Sequence, residues 1–186
     1  MGDAARKQAT YDDVLNAPPN MVAELIHGVL HLHPRPASRH TRSASKLGAT
    51  LDGPFDAGRG GPGGWIILDE PELHLGRQVL VPDLAGWRRE RMPELPDAPF
   101  FEVPPNWACE VLAPSTAALD RGEKMPLYTA HGVTHLWLID PLTETLEIYR
   151  VDGATYRAVA THSKNAVVRA EPFDAIELAL ADLWAR

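Results

Sequence analysis

Four side chains in this sequence have types and spacing that could do chemistry together: Glu24 in AELIHG, Asp83 in VLVPDLAGW, Glu110 in WACEVL and Lys124 in DRGEK. Glu110 is the sharpest of them. Its neighbours Trp107, Ala108, Cys109, Val111 and Leu112 read as a buried strand, where a carboxylate is costly unless paired or metal-bound. Alternation puts Glu110 on one face with Ala108 and Leu112. Asp83 follows Pro82, and proline commonly marks the end or edge of a strand. The two β segments can lie side by side and bring both carboxylates to one pocket. Two converging carboxylates are what a hard Mg²⁺ or Mn²⁺ ion needs, with water and phosphate oxygens completing the octahedron. Lys124 could orient water or offset charge on a phosphate. Each residue also has a plain structural reading: Glu110 in an ion pair, Asp83 as a turn or cap, Lys124 as the exposed i,i+4 partner of Asp120.

Other residues compete. His31 and His33 alternate onto one strand face with His27 nearby. Together they could hold Zn²⁺ or Ni²⁺, or simply form a polar face. His40, with Arg39 and Arg42 on a helix, could approach a phosphate or stay solvated. Asp13, Ser115 and His135 make no convincing triad, because Ser115 lacks a G-x-S-x-G setting. WRRER (87–91) could touch a nucleic-acid backbone, although a solvated loop is the plainer reading. GRGGPGG (58–64) has the glycine content of a phosphate loop without the lysine-serine/threonine pair, and reads as a connector.

These residues need elements to position them. YDDVLNAP predicts a short helix ended by Pro18 and Pro19. A turn at Gly28 and the run Val29, Leu30, Leu32 predict a strand closed by Pro34, with Glu24 just before it. Residues 37–56 predict a helix with Ser38 as N-cap, weakened at Gly53-Pro54. WIILDE and QVLVPDLAGWRR read as strands with a turn near Gly76, followed by a proline-rich loop over 89–105. After the Glu110 strand, residues 115–133 predict a helix ending at Gly132, with Pro126 in its first turns or at a kink. Residues 134–162 predict a β-meander with turns at 141–143 and 152–153. AIELAL reads as a last strand before a terminal helical turn at ADLWAR. The whole order is α+β with a central sheet.

Composition bounds the rest. A chain of 186 residues and 20.4 kDa suits a single domain over 1–186, with 1–10 as a disordered tail. The single Cys109 excludes an internal disulfide and cysteine-based zinc motifs, and makes the cytoplasm the default compartment. No apolar run approaches the ~20 residues of a membrane helix, and the N-terminus lacks the apolar core of a signal peptide. A net charge of −7 argues against a mainly electrostatic nucleic-acid binder. It leaves room for a nuclease with a metal and a local basic lip.

The series AELIHGVLHLHPRP, VLVPDLAGW and WACEVLAPSTAALDRGEKMPLYTAHGVTHLWLIDP resembles the Uma-two family of restriction-endonuclease-like proteins, in the PD-(D/E)xK nuclease superfamily. The resemblance covers roughly residues 11–183. It implies a restriction-endonuclease-like core, a central mixed sheet flanked by helices, and a metal-dependent endonuclease that hydrolyses DNA as a homodimer. Asp83 matches the PD aspartate and Glu110 the acidic member of the second motif. The lysine usually found two residues on is replaced by Leu112, and Lys124 on the next helix stands in for it. Glu24 matches the acidic residue of the N-terminal segment. His27, Val29 and Ala113 depart from the family pattern, where aspartate, glutamate and serine are common, and none of them is a proposed ligand. The expected catalytic set is therefore Glu24, Asp83, Glu110 and Lys124, with Asp83 and Glu110 as ligands for Mg²⁺ or Mn²⁺. The alternative is a catalytically silent protein that kept the fold as a binding module or scaffold.

Overall fold

The computed structural model describes residues 8–184. Helix α1 (Tyr11–Leu15) precedes a hairpin of β1 (Met21–Ile26) and β2 (Val29–Pro34). Helix α2 (Ser38–Leu51) runs into a π-helical turn (Asp52–Asp56). Strands β3 (Trp65–Asp69), β4 (Leu73–Leu75), β5 (Gln78–Leu80), β6 (Leu84–Arg88) and β7 (Trp107–Val111) follow. Next come α3 (Ala117–Leu119), a second π-helical turn (Asp120–Lys124) and α4 (Met125–Ala130). Strands β8 (His135–Asp140), β9 (Thr145–Asp152), β10 (Thr155–Ser163), β11 (Val167–Val168) and β12 (Leu178–Ala179) lead to α5 (Ala181–Trp184).

A six-stranded sheet in the order β10-β9-β8-β7-β6-β3 holds the centre. It is mixed, because β7 and β8 are parallel and the other neighbours antiparallel. The parallel pair requires a crossover, and the α3–α4 segment supplies it. Strand β7 is buried along its whole length, so its residues read as one apolar run on both faces. Trp65, Trp107, Cys109 and Trp137 pack on one face beneath Leu47 and Leu51 of α2 and Leu183 of α5. Ala108, Leu136 and Leu138 face the other side, with Leu127 and Tyr128 of α4. A four-stranded sheet, β2-β1-β5-β4, closes over that second side through Ile26, Leu73 and Leu80.

The sequence reading and the structure differ where prolines and short strands intervene. QVLVPDLAGWRR is not one strand. Pro82 has no N–H to give a ladder, and the chain breaks there into β5 and β6, which belong to different sheets. Glu24 lies inside β1 rather than before the first strand, paired with His31 of β2. His27 and Gly28 both take positive φ (50° and 75°) in the turn between them, the geometry that a two-residue hairpin favours. Ala37, not Ser38, is the residue preceding α2. The expected helix over 37–56 changes to a π-helical turn at Asp52. The helix expected over 115–133 is divided by the turn at Asp120–Lys124, with Pro126 in the first turn of α4. The predicted last strand shrinks to Leu178–Ala179, paired with β11, an element that the sequence did not signal. Nor did it signal β4. Of the tail expected over 1–10, residues 1–7 lie outside the described residues. The Ala9 N–H donates to Gly28 O (2.8 Å), and Thr10 closes a capping box with Asp13. Among the described residues no helix is long and apolar enough to cross a membrane.

Candidate active site

The break at Pro82 has a chemical result. It leaves Asp83 at the junction of the two sheets, beside β7, where Leu84 is the register partner of Cys109. The Val111 N–H donates to Asp83 Oδ2 (2.7 Å), so the end of β7 fixes one oxygen of this carboxylate. The other oxygen, Oδ1, lies 3.3 Å from His40 Nε2 on α2. Burial disfavours the His40 charge, but the Asp83 carboxylate outweighs it and raises the His40 pKa.

Glu110 projects to the opposite side of β7 from Cys109, where Lys124 and Tyr128 meet it. Lys124 Nζ stands 2.8 Å from Glu110 Oε1, and the Tyr128 hydroxyl donates to the same oxygen (2.5 Å). Lys124 also lies 2.9 Å from Glu24 Oε1 and 3.5 Å from Asp120 Oδ1. Glu24 takes a further hydrogen bond from the Val81 N–H (2.8 Å), and its second oxygen is 3.3 Å from His33 Nε2. Glu24, Glu110, Asp120 and Lys124 are all buried. The Asp120–Lys124 pair is thus an interior interaction and not the solvated helix pair that spacing alone allows. The wider π-helical turn between them carries Lys124 into the site, a role such turns often have.

The electrostatics are lopsided. Three carboxylates, Glu24, Glu110 and Asp120, surround one ammonium, and a fourth, Asp83, lines the same cleft. Burial pushes the Glu110 carboxyl well above the usual range, Lys124 opposes this, and the other carboxylates reinforce it. Burial also raises Asp120 against the pull of Lys124. Glu24 goes the other way: its burial is outweighed by Lys124, His33 and the Val81 N–H, which hold it down to about 2. Burial would strip Lys124 of its proton, but Glu110 and Glu24 keep it charged and raise its pKa well above the ordinary value. Burial, and then Glu110, raises the Tyr128 phenol.

All four sequence-predicted residues, Glu24, Asp83, Glu110 and Lys124, line one cleft of about 300 Å³, together with His33 and His40. The donor set suits a hard cation. Asp83 Oδ2 and Glu110 Oε1 are engaged by protein donors, and each carboxylate has a second oxygen. The surplus of negative charge is the kind that a divalent ion offsets. Among the described residues no three histidine, cysteine or acidic side chains form a ready metal cage. A zinc-type centre at His31 and His33 is not formed: the rings stack 6.3 Å apart and His33 turns to Glu24. The WRRER patch is engaged by its own fold. Arg88 lies over Trp65 (4.3 Å), Arg89 pairs with Asp56 (2.8 Å), and Arg91 donates to Gly132 O (3.2 Å).

Tyr128 and the roles of Asp120 and His40 escaped the sequence reading as site residues. Tyr128 follows Lys124 by four positions, the spacing that puts two helical side chains on one face. That was its available signal. Ser115 lines the cleft, but His135 bonds to Thr134 (3.1 Å) and Asp13 caps α1, so no triad forms.

Comparison with known proteins adds to this geometry. No curated protein matches the chain. A crystal structure described as a putative nuclease belonging to DUF820 from Anabaena variabilis is similar in fold, with a TM-score of 0.77 and 23% sequence identity. The match covers 95% of this chain and 97% of that one. The central mixed sheet flanked by helices is therefore shared with that protein. The sequence pattern of the Uma2 family, described as "Putative restriction endonuclease", matches residues 9–181, and the chain belongs to that family.

Proposed function

We propose that this protein is a divalent-metal-dependent endonuclease that hydrolyses phosphodiester bonds in DNA. The observation that supports this most is the convergence of Glu24, Asp83, Glu110 and Lys124, from four separate segments, in one cleft with more buried carboxylates than cations. Asp83 and Glu110 would hold Mg²⁺ or Mn²⁺. When bound, such an ion supplies Lewis-acid polarisation of the scissile phosphate and lowers the pKa of water.

The chain's own residues do the rest. The Val111 N–H and the Tyr128 hydroxyl each hold one oxygen of a ligand carboxylate. Glu24 anchors Lys124 without needing to touch the substrate. The Lys124 ammonium, kept charged by its neighbours, orients the attacking water or offsets charge on the phosphate. The reading takes residues 1–186 as one nuclease-like domain working in the cytoplasm as a homodimer, and sizing chromatography measures that state.

A plasmid-nicking assay with Mn²⁺ and Mg²⁺ tests the proposal. Wild-type protein nicks DNA only with metal. Asp83→Ala and Lys124→Ala lose that activity while remaining folded by circular dichroism. Wild-type protein inactive on plasmid, single-stranded and branched DNA would overturn the enzyme reading in favour of a silent binding module.

A further inference from the structure

We propose that one face of α2, formed by Arg39, Arg42 and Lys46 and continued by Arg35, seats the phosphodiester backbone of duplex DNA beside the cleft. This rests on the nuclease reading and assigns the surface that the substrate occupies.

Among the described residues, α2 gathers several unpaired cations, whereas the exposed Arg77 and Lys164 are also unpaired but stand singly. Arg59, Arg89, Arg121, Arg150, Arg157 and Arg169 each have a carboxylate partner within ion-pair distance. Arg39 and Arg42 are exposed and have none among the described residues. Arg35 reaches Glu70 only at 3.9 Å, with both side chains in solvent. The segment 35–51 holds four basic side chains and no acidic one, in a chain whose net charge is −7. Arg39, Arg42 and Lys46 stand at i, i+3 and i+7, so they share one side of α2. Glu144 lies across the shallow hollow beside Arg39 and Arg42 without pairing to either.

Position links this face to the chemistry. Arg35, Ala37 and His40 line the cleft that holds Asp83 and Glu110, and α2 starts at its rim. Arg39 and Arg42 themselves line a neighbouring hollow with Pro141, Glu144 and Leu183, so a duplex lying over the exposed side of α2 meets them on one flank and the cleft at the first turn on the other. The acidic remainder of the surface repels that polyanion, so the field itself guides it to this face. From Arg39 to Lys46 the helix rises about 10 Å. One DNA strand carries a phosphate every ~3.4 Å of duplex axis, so the ridge spans about three phosphates. The other basic segment, WRRER, is already used internally.

Fluorescence anisotropy on a labelled 30-base-pair duplex tests this, in EDTA and again with Ca²⁺, across 50–200 mM salt. The variant Arg39→Gln/Arg42→Gln is compared with Arg157→Gln/Arg169→Gln, which removes the same charge elsewhere. The expected result is at least a tenfold loss of affinity for the α2 variant. Its plot of log K against log salt becomes shallower by about two, roughly one unit for each phosphate that is no longer neutralised. The control variant retains wild-type binding. Equal binding by the two variants would overturn the proposal, as would a wild-type protein that binds no duplex, or one that binds RNA in preference. Mn²⁺ calorimetry on the same samples separates the two readings. Absent Mn²⁺ binding by wild type sinks the nuclease assignment, whereas normal Mn²⁺ binding with unchanged anisotropy sinks only the role of α2.

Discussion

At the scale of single residues, Glu24 and Glu110 share one ammonium but respond oppositely to folding. Folding lowers the Glu24 pKa from 4.5 to about 2. Its stabilising contribution is therefore complete above about pH 4.5 and is lost as pH falls toward 2. The size is on the order of 3 kcal/mol. Urea unfolding of wild type and Glu24→Gln should show a wild-type advantage at pH 6 that shrinks steadily toward pH 3. A constant gap would contradict this account of Glu24. Tyr128 makes a second residue-scale case. Tyr128→Phe removes a hydrogen bond to a charged group, worth about 1.5–3 kcal/mol. If the hydroxyl orients a ligand carboxylate, calorimetry should also show Mn²⁺ affinity falling roughly 10-fold or more. A purely structural hydroxyl would lower stability and leave Mn²⁺ affinity unchanged.

At the scale of elements, two segments bring the site together. Strand β7 offers its backbone to Asp83 and its side chain to Lys124, so both halves of the cleft depend on its register with β6 and β8. Helix α2 is held against the sheet by Leu47 and Leu51, and against α5 by the Ser43 hydroxyl donating to Leu183 O (2.9 Å). Leu47 is fully buried. Leu47→Ala should destabilise the fold by about 2–5 kcal/mol through lost burial and the cavity left behind, measured by denaturant midpoint. Because Leu47 packs in the core and does not line the cleft, Mn²⁺ affinity of the folded fraction should stay at the wild-type value. Gly86 explains another close fit: a Cβ there would sit 3.2 Å from the Trp107 ring and 3.3 Å from Trp65.

At the scale of the whole molecule, the cleft gathers more carboxyl groups than lysines and arginines in an already acidic chain. An ion that binds only the folded state stabilises it by mass action, about 2.7 kcal/mol at a hundredfold excess over Kd. Thermal melts with millimolar Mn²⁺ should therefore rise by several degrees for wild type. Asp83→Asn should show no such rise if Asp83 is the ligand proposed, since that charge is lost. An equal rise in both proteins would point to nonspecific screening.

Much of this protein was legible in its sequence. An acid in the apolar run WACEVL, a PD pair and a lysine on the next helix picked out side chains that the fold brings into one cleft, and hydrophobic alternation named most strands. Local patterns of this kind record burial, because a charge among apolar neighbours is conspicuous wherever the chain goes. Short elements such as β4 and β11 left no comparable trace, since two or three residues cannot establish a period. Partnership was the larger omission. Nothing in the sequence told that Lys124 would be shared by Glu24, Glu110 and Asp120, that Tyr128 would bond to Glu110, or that His40 would turn to Asp83. Those pairings depend on the parallel register of β7 with β8 and on the change of sheet at Pro82. Sequence determined which residues carry charge into the interior; tertiary structure decided which of them meet, because electrostatic coupling depends on distances that only the folded chain defines.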